Sequence, residues 1–178
     1  MSVKKDNTER ALKVFTAYVE KTSRENLVKK RKNTTGNLSK SIKGNYKVSA
    51  NSFQLFFEME DYGQFQDLGV QGFVKGAKNK APDSPFRMGT GTAPKGMFKT
   101  AINAWVIRKG IAPRSGGKFT DRKQMLANIR RSIYNTGLRP SLFFTEAFNE
   151  GFKGLDDKVL EAYGLDVETF IKYSLKIT

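Results

Sequence analysis

The stretch from Phe53 to Gly69, FQLFFEMEDYGQFQDLG, constrains the fold of this chain more than any other. In its first half, apolar residues at the odd positions from Phe53 to Met59 alternate with mostly polar residues at the even positions. A period of two residues is typical of a half-buried antiparallel strand. Phe56 interrupts the polar face, so that face is not simply solvated. The second half, from Tyr62 to Gly69, predicts a polar continuation of the strand that ends at a glycine and leads into a long loop.

Helical periodicity precedes this strand. From about Asn7 to Lys32, apolar residues recur every three or four positions, which predicts a long amphipathic helix. Its buried stripe is predicted to contain Leu12, Phe15, Tyr18 and Val19, widened by Ala11, Val14 and Thr22. After a break at Gly36, Leu38 and Ile42 have the spacing of a short helical turn. Alternation at Tyr46 and Val48 then predicts a β-hairpin with the central strand.

Further helices are predicted after the loop. The first runs from Pro94 to Arg108, with Trp105 in the core and Gly110 closing it. The second, capped by Thr120 or Asp121, continues to about Asn135 and buries the row Met125, Ile129 and Ile133. The third starts at Pro140 or Ser141 and runs through Phe143 to about Phe152. Leu155 to Tyr163 is helical in pattern, and Asp166 is predicted to cap a last helix through Phe170, Ile171 and Leu175.

Together these elements predict an α+β fold, in which a small antiparallel β-sheet is packed by a long N-terminal helix and C-terminal helices, with a long loop insertion. We expect a single domain over residues 1–178, with its core at about 7–152, a flexible loop at about 71–95 and a C-terminal helical tail at about 154–178. The 38% hydrophobic and 12% aromatic residues can build a real core. No run approaches the roughly 18 apolar residues of a membrane span, and the N-terminus does not resemble a secretory signal.

The chain contains no Cys and no His, which excludes much enzyme chemistry. Without Cys there are no disulfides, no thiolate catalysis and no Cys-zinc sites. Without His the chain lacks the commonest general base and the commonest metal ligand. The nearest candidate for Mg²⁺-dependent phosphodiester hydrolysis is the group Glu58, Glu60 and Asp61, but no Glu-x-Lys segment completes a nuclease core. A solvated strand face, or contact with a Lys or Arg of a neighbouring subunit, is favoured. We predict no catalytic residue, no metal site, no cofactor and no enzyme.

The charge is strongly unbalanced, with 32 Lys and Arg against 17 Asp and Glu, a formal net charge of +15. Such a surplus favours polyanionic partners, either nucleic acid or an acidic protein surface, while a basic surface without a dedicated ligand is the plainer alternative. Residues 71–95 combine basic and apolar residues with Gly and Pro, so they form either a functional arm or a merely mobile loop. Predicted partner contacts are Phe73, Lys75, Lys78, Lys80, Phe86, Arg87 and Lys95 in this loop, with Glu58 and Glu60 on the strand.

Three short motifs follow one another along the chain. A T-G-x-L-x-x-S-I segment follows the first helix, a Tyr-rich strand end then meets an acidic residue and a glycine, and a Gly-x-x-Pro-x-x-Phe-x-x-x-Ala-Phe segment comes later. They comprise Thr35, Gly36, Leu38, Ser41 and Ile42, then Tyr62, Phe65, Asp67 and Gly69, then Gly137, Arg139, Pro140, Phe143, Ala147 and Phe148. In this order, which spans most of residues 8–150, the chain resembles the tail-completion proteins of long-tailed bacteriophages, also called head–tail joining, minor tail or neck proteins.

The resemblance implies a structural virion protein that joins the head connector to the tail. The implied protomer forms an oligomeric ring, a hexamer or dodecamer, at the neck of the virion after assembly in the host cytoplasm. Implied partners are the portal or connector and the tail-tube or tail-terminator proteins, with DNA in the channel as a further candidate and no membrane. The alternative is a basic nucleic-acid-binding protein or metal-dependent nuclease whose motifs match by coincidence.

Overall fold

The computed structural model describes residues 6–49, 52–74, 76, 78–89, 96–115, 118–119, 121–155, 157–159, 161–164 and 166. They confirm the α+β prediction, with a long N-terminal helix, small two-stranded antiparallel sheets and C-terminal helices. The helices are α1 (Asp6–Lys29), α2 (Asn37–Ser41), α3 (Tyr62–Leu68), α4 (Met97–Arg108), α5 (Arg122–Thr136) and α6 (Phe143–Phe152). The strands are β1 (Lys43–Val48), β2 (Phe53–Glu58), β3 (Val70–Gln71), β4 (Arg114–Ser115), β5 (Lys118–Phe119) and β6 (Gly137–Leu138).

The chain divides into two compact units. Unit 1 comprises Met1–Glu60 and Phe143–Thr178, and unit 2 comprises Asp61–Leu142. The single domain expected for residues 1–178 stays a prediction. None of the described helices is long and apolar enough to cross a membrane.

The core of unit 1 lies where α1 packs against α6 and the β1–β2 hairpin. Leu12 and Val19 of α1 are fully buried and Phe15 is nearly so, as the helical periodicity predicts. The Phe57 ring contacts Phe144 and Phe148 of α6 edge to face, at centroid distances of 5.3 and 5.9 Å. Phe57 also meets Phe15 of α1 edge to face at 6.3 Å, so the odd-numbered face of β2 packs on both helices.

Three residues expected in this core lie at its margin. Val14 is 61% exposed and Tyr18 is 38% exposed, so the predicted stripe on the first helix is too wide. Phe53 is 42% exposed although it shares the odd face of β2 with the half-buried Leu55. The core buries the middle of the hairpin, and Phe53 stands at its tip.

A second cluster closes the far end of α1. Leu27 of α1 packs with Leu38, Ile42 and Phe143, all buried. Leu38 and Ile42, four positions apart, are therefore buried on the same side, as their spacing predicts. The guanidinium of Arg24 donates to the main-chain oxygens of Ser39 (3.0 Å) and Ile42 (2.6 Å), which holds α2 against α1.

Unit 2 begins with a correction, because residues 62–68 form a helix where a polar continuation of the strand was expected. The residues that α3 buries are Gly63 and Asp67, four positions apart. A buried face made of glycine and aspartate carries no hydrophobic period, so the helix leaves no signal of the usual kind. Gly69, with φ of 73°, ends it.

The next two helices partly match their predictions. The N–H groups of Gly110 and Ile111 donate to the carbonyls of Ile107 and Val106, a Schellman ending that confirms Gly110 as the closing residue of α4. Trp105 is 39% exposed, so its placement in the core is wrong, and Val106 is fully buried instead. The expected start at Pro94 lies outside the described residues.

Helix α5 begins as predicted. The Asp121 carboxylate accepts a hydrogen bond of 3.0 Å from the backbone N–H of Lys123, which is an N-cap. Met125, Ile129 and Ile133 form its inner row, but each is only half-buried. A helix without a fully buried side chain contributes little hydrophobic stabilisation of its own.

The C-terminal part of unit 1 is helical where Leu155 to Tyr163 was predicted to be, within the described positions. Leu155 and Val159 join the core cluster of α1, and Ala162 is also buried. The predicted last helix through Phe170, Ile171 and Leu175 lies outside the described residues.

Candidate partner-contact surfaces

Unit 2 is organised around a close crossing of β3 and β6. The two strands pair antiparallel, with Gln71 opposite Gly137. Gly137 has φ of 79°, and a Cβ there would overlap the carbonyl oxygen of Val70. A Cβ at Gly72 would overlap the carbonyl of Asn135. Both obstructing atoms belong to the backbone, so they cannot turn aside, and only glycine fits at these two positions.

This crossing brings together two segments that carry the family resemblance. The carbonyl oxygen of Asp67 accepts hydrogen bonds from the N–H groups of Ser141 (3.0 Å) and Leu142 (2.9 Å). The Ser141 hydroxyl donates to the carbonyl of Gln66 at 2.6 Å. A Cβ at Gly69 would lie 2.5 Å from the carbonyl oxygen of Leu138. The motif residues 62–69 and 137–142 are therefore adjacent in space, although about 70 residues separate them in sequence.

The loop that follows β3, within residues 71–95, is hydrogen-bonded to the end of α5. The N–H groups of Phe73, Val74 and Lys80 donate to the carbonyls of Tyr134, Asn135 and Thr136, at 2.9, 3.0 and 2.7 Å. Backbone hydrogen bonds therefore hold the described part of residues 71–95 to α5, and the choice between a functional arm and a mobile loop stays a prediction. These bonds reach a distant part of the chain, and local composition does not reveal them.

The same loop returns alongside β3. Gln71 donates from its N–H to the carbonyl of Phe86 (2.7 Å) and accepts from the N–H of Met88 (2.9 Å). Ser84 is 5% exposed, and its hydroxyl donates to the carbonyl of Gly69 at 2.8 Å. Ala81 is buried as well. Small residues and backbone bonds therefore pin this loop.

The predicted contact residues of the loop have distinct positions. Phe73 is 57% exposed and stacks on Tyr134, with ring centroids 5.6 Å apart. Phe86 is half-buried and meets Phe65 edge to face at 4.6 Å. The side chains of Lys78, Lys80 and Arg87 are exposed. Lys75 and Lys95 lie outside the described residues.

Sequence reasoning missed Tyr134 as a surface residue. It is 39% exposed and lies one position after the inner row of α5. Because Tyr134 lies outside the row Met125, Ile129 and Ile133, its side chain is exposed, and its ring stacks on that of Phe73.

The acidic residues proposed as contacts belong to unit 1. Glu58 and Glu60 are exposed, and Glu58 lies opposite Lys43 in the β1–β2 register. The backbone N–H of Glu60 donates to the Ser41 hydroxyl at 3.0 Å. Among the described residues, no group of three or more carboxylates is placed to hold a metal ion.

Unit 1 also carries an open groove of about 290 Å³ beside α1. Val14 and Tyr18 line it, which accounts for their exposure, and Gly151 and Gly154 form part of the opposite wall. Glu150 and Lys158 add one charge of each sign. The groove is thus apolar with a mixed polar margin.

Asp166 holds the start of α1. Its carboxylate accepts hydrogen bonds from the backbone N–H groups of Asn7 (3.3 Å) and Thr8 (3.1 Å) and from both of their side chains (2.9 and 2.8 Å). Burial acts to raise the pKa of this carboxyl, but the hydrogen bonds from Thr8 and Asn7 together outweigh it, so the pKa lies below its ordinary value. Asp166 therefore caps the first helix of the chain, a role that its place in the sequence does not reveal.

In comparisons with known proteins, no protein-family model, no curated protein and no solved structure matches this chain.

Proposed function

We propose that this chain is a structural virion protein that joins the head connector of a long-tailed bacteriophage to its tail, as a ring-forming protomer at the neck. The observation that carries the proposal is the contact between two motif segments, 62–69 and 137–142, through Asp67, Ser141 and Leu142. The contact brings the two segments to one place in unit 2, as a joint role in the proposed function would require.

Exposed aromatic residues supply a second line of support. Among the described side chains of unit 2, the exposed aromatic ones are Tyr62, Phe65, Phe73, Phe98, Trp105 and Tyr134. Single exposed apolar residues are ordinary, but stacked pairs such as Phe73 and Tyr134 resemble the aromatic anchors of protein interfaces. A ring protomer has two neighbours and two axial partners, which would bury such residues.

The positive charge fits the same role. A net charge of +15 would hold the protomer against acidic connector surfaces or against DNA in the channel. Exposed Lys78, Lys80 and Arg87 lie on the same loop as Phe73. Basic residues around an aromatic anchor combine electrostatic attraction with a buried apolar contact.

The test is assembly in the absence of the protein. Particles made without it should appear in negative-stain images as full heads and free tails, and complementation by the wild-type chain should restore joined particles. A Phe73→Ala/Tyr134→Ala variant should complement poorly, whereas Val28→Ala, which truncates a 61% exposed residue of α1, should complement fully. Intact, infectious particles without the protein would refute the proposal.

The affinity for free duplex DNA distinguishes the alternative, a nucleic-acid-binding protein, from a joining protein. A dedicated DNA-binding protein would bind free duplex with an affinity that falls steeply with the logarithm of salt concentration. A joining protein should bind free DNA weakly and co-purify with connector or tail proteins.

A further inference from the structure

Positive charge is concentrated in unit 2. Its residues 61–142 contain fifteen Lys and Arg against four Asp, a net charge of +11, whereas unit 1 has seventeen cations against thirteen carboxylates, a net charge of +4. Residues 96–136, which include α4, the β4–β5 ribbon and α5, contain nine of the unit 2 cations and a single carboxylate, Asp121. The Asp121 carboxylate is engaged as the N-cap of α5. More than half of the net charge of the chain therefore lies in this one segment.

Six of these cations come together where α4 ends and α5 begins, at residues 108–123, which we term the α4–α5 junction. The guanidinium of Arg122 donates to the side-chain oxygen of Asn103 at 2.9 Å, which holds the first turn of α5 beside the C-terminal half of α4. The six cations, all of them exposed, are Arg108, Lys109, Arg114, Lys118, Arg122 and Lys123.

The β4–β5 ribbon within the junction carries a cation on each face. Arg114 lies opposite Phe119, and Ser115 lies opposite Lys118. Because residues that lie opposite each other share a face and consecutive residues point to different faces, Arg114 and Lys118 point to opposite sides of the ribbon. The junction is therefore basic on both sides of the ribbon.

The stability of the helices accounts for only part of this charge. Arg108 and Lys109 lie at the C-terminal end of α4, where the helix dipole favours cations. Arg122 and Lys123 lie in the first turn of α5, where the dipole disfavours cations, and that turn contains no acidic residue. The cations at the start of α5 therefore oppose the stability of their own helix, and an external anion would stabilise them.

The chemistry of the junction favours phosphate groups over an acidic protein surface. The centre of a protein interface is usually apolar and aromatic, as the stacked rings of Phe73 and Tyr134 are. Among the described residues of the junction, no large apolar side chain is exposed. Contacts to a phosphate backbone need no apolar centre, because Lys and Arg supply them and the guanidinium of Arg matches the geometry of phosphate oxygens.

We propose that the α4–α5 junction binds the phosphate backbone of double-stranded nucleic acid, without recognition of the bases. The inference goes beyond the proposed function, which leaves open whether the charge serves protein or DNA, and it does not depend on the neck role. Sequence-independent contacts of this kind give dissociation constants of about 10⁻⁴–10⁻⁶ M at physiological salt. Such binding is weak enough to agree with the weak affinity for free DNA expected of a joining protein.

The experiment measures binding of the purified full chain to a labelled DNA duplex of mixed sequence by fluorescence anisotropy. The salt concentration is varied from about 50 to 200 mM. With about four to six phosphates contacted, the logarithm of the affinity should fall linearly with the logarithm of salt concentration, with a slope of about −4 to −5.

The test variant is Arg108→Gln/Lys118→Gln/Lys123→Gln, which removes one exposed cation each from α4, the ribbon and α5. We expect the slope to become shallower by about three units and the affinity at about 50 mM salt to fall at least about 30-fold. The thermal unfolding midpoint should not fall, because Lys123→Gln removes a cation from the start of α5. A loss of binding with an unchanged midpoint therefore reports the contact and not the fold.

A matched control removes the same charge from unit 1. Lys13→Gln/Lys21→Gln/Lys47→Gln changes three exposed lysines and should lower the affinity by less than about threefold. A charge-conserving variant completes the comparison, and it should bind within about twofold of wild type because phosphate contacts tolerate either cation. That variant is Arg108→Lys/Lys118→Arg/Lys123→Arg.

Polyglutamate serves as the probe for an acidic protein surface. It should compete at least about tenfold less well than unlabelled duplex, because duplex DNA carries one charge per about 1.7 Å of its axis. Three results would overturn the proposal: no binding of the duplex at the lowest salt concentration, equal losses in the test and control variants, or equal competition by polyglutamate, which would assign the junction to an acidic protein. All three are measured on the purified chain, whereas the neck function is read from particles, so the two can fail separately.

Discussion

Different interactions stabilise the interior of each of the two units of this protein. Among the described residues, eleven of the fourteen buried hydrophobic side chains lie in unit 1, and unit 2 has Val70, Ala81 and Val106. Unit 1 closes around aromatic rings packed edge to face. Unit 2 closes around glycines, small residues and backbone hydrogen bonds between segments far apart in sequence.

The difference indicates what each unit is suited to do. A hydrophobic core of interlocking rings gives stability that does not depend on partners. A unit whose described aromatic residues are largely exposed, and whose loop is held by backbone hydrogen bonds, leaves apolar surface in contact with solvent. On this comparison, mutations that remove apolar side chains should damage unit 1 most, and mutations that add one methyl group should damage unit 2 most.

The largest expected effect is Gly137→Ala in unit 2. The added Cβ meets the backbone of Val70 at a positive φ, so the β3–β6 crossing must open, and we expect a loss of about 3–5 kcal/mol in the stability of unit 2. Hydrogen exchange should show lost protection at the amides of Phe73, Val74 and Lys80, with the amides of α1 unaffected.

Gly76→Ala is the matched control. Gly76 has φ of 83° but no atom within 4 Å of a Cβ, so only the backbone cost of about 1–2 kcal/mol applies. Equal effects of the two substitutions would mean that the close crossing contributes nothing beyond the dihedral angle.

A loss of the same size, about 3–5 kcal/mol, is expected for Phe143→Ala in unit 1, because this side chain is fully buried between Leu27, Leu38 and Ile42. Denaturant unfolding followed by circular dichroism measures it as a lower midpoint. Phe152→Ala, in the same helix but 41% exposed, should cost less than half as much. A midpoint unchanged by Phe143→Ala would contradict the core assignment.

These two predictions also explain what could be read from the sequence. In unit 1, Leu12, Phe15 and Val19 are buried because a period of 3.6 residues faces a core, and β2 alternates because one of its faces does. Periodicity therefore predicted both elements and their packing. It failed at Val14 and Tyr18, since a groove beside α1 leaves apolar residues outside the core.

In unit 2 the determining contacts have no period. Helix α3 buries a glycine and an aspartate, and Phe73, Val74 and Lys80 of the loop are held by bonds to residues 134–136. A single sequence does not show which distant segments pair, so the predicted contact residues were named without knowledge of Tyr134, which supports Phe73. The capping of α1 by Asp166 could not be predicted for the same reason, because its partners lie about 160 positions earlier in the chain.

A smaller effect is expected for Asp166→Asn, and it should depend on pH. The cap on α1 stabilises unit 1 by about 1–2 kcal/mol. Because the pKa of Asp166 is lowered on folding, this contribution is present in full above the unfolded value of about 3.9 and is lost as the pH falls through the lower folded value.

The measurement is the difference in unfolding free energy between wild type and Asp166→Asn from pH 7 to pH 2. The difference should be constant above about pH 4.5 and shrink below it. A difference that grows on acidification would mean that the carboxyl, not the carboxylate, is the form that folding prefers. Thr8→Val, which removes one of the side-chain donors, should lower the same difference in part.

The smallest effect on stability is expected for Phe73→Ala in unit 2. Its ring is 57% exposed and touches Tyr134 on one face, so we expect a loss below about 1 kcal/mol, the size of one stacked pair. Trp105→Ala, at 39% exposure, is the companion variant and should be similarly mild. Thermal unfolding of the purified chain measures both. If either variant costs as much as Phe143→Ala, unit 2 has an aromatic core after all, and the contrast between the units fails where it matters most: in the claim that the aromatic residues of unit 2 are kept for partners.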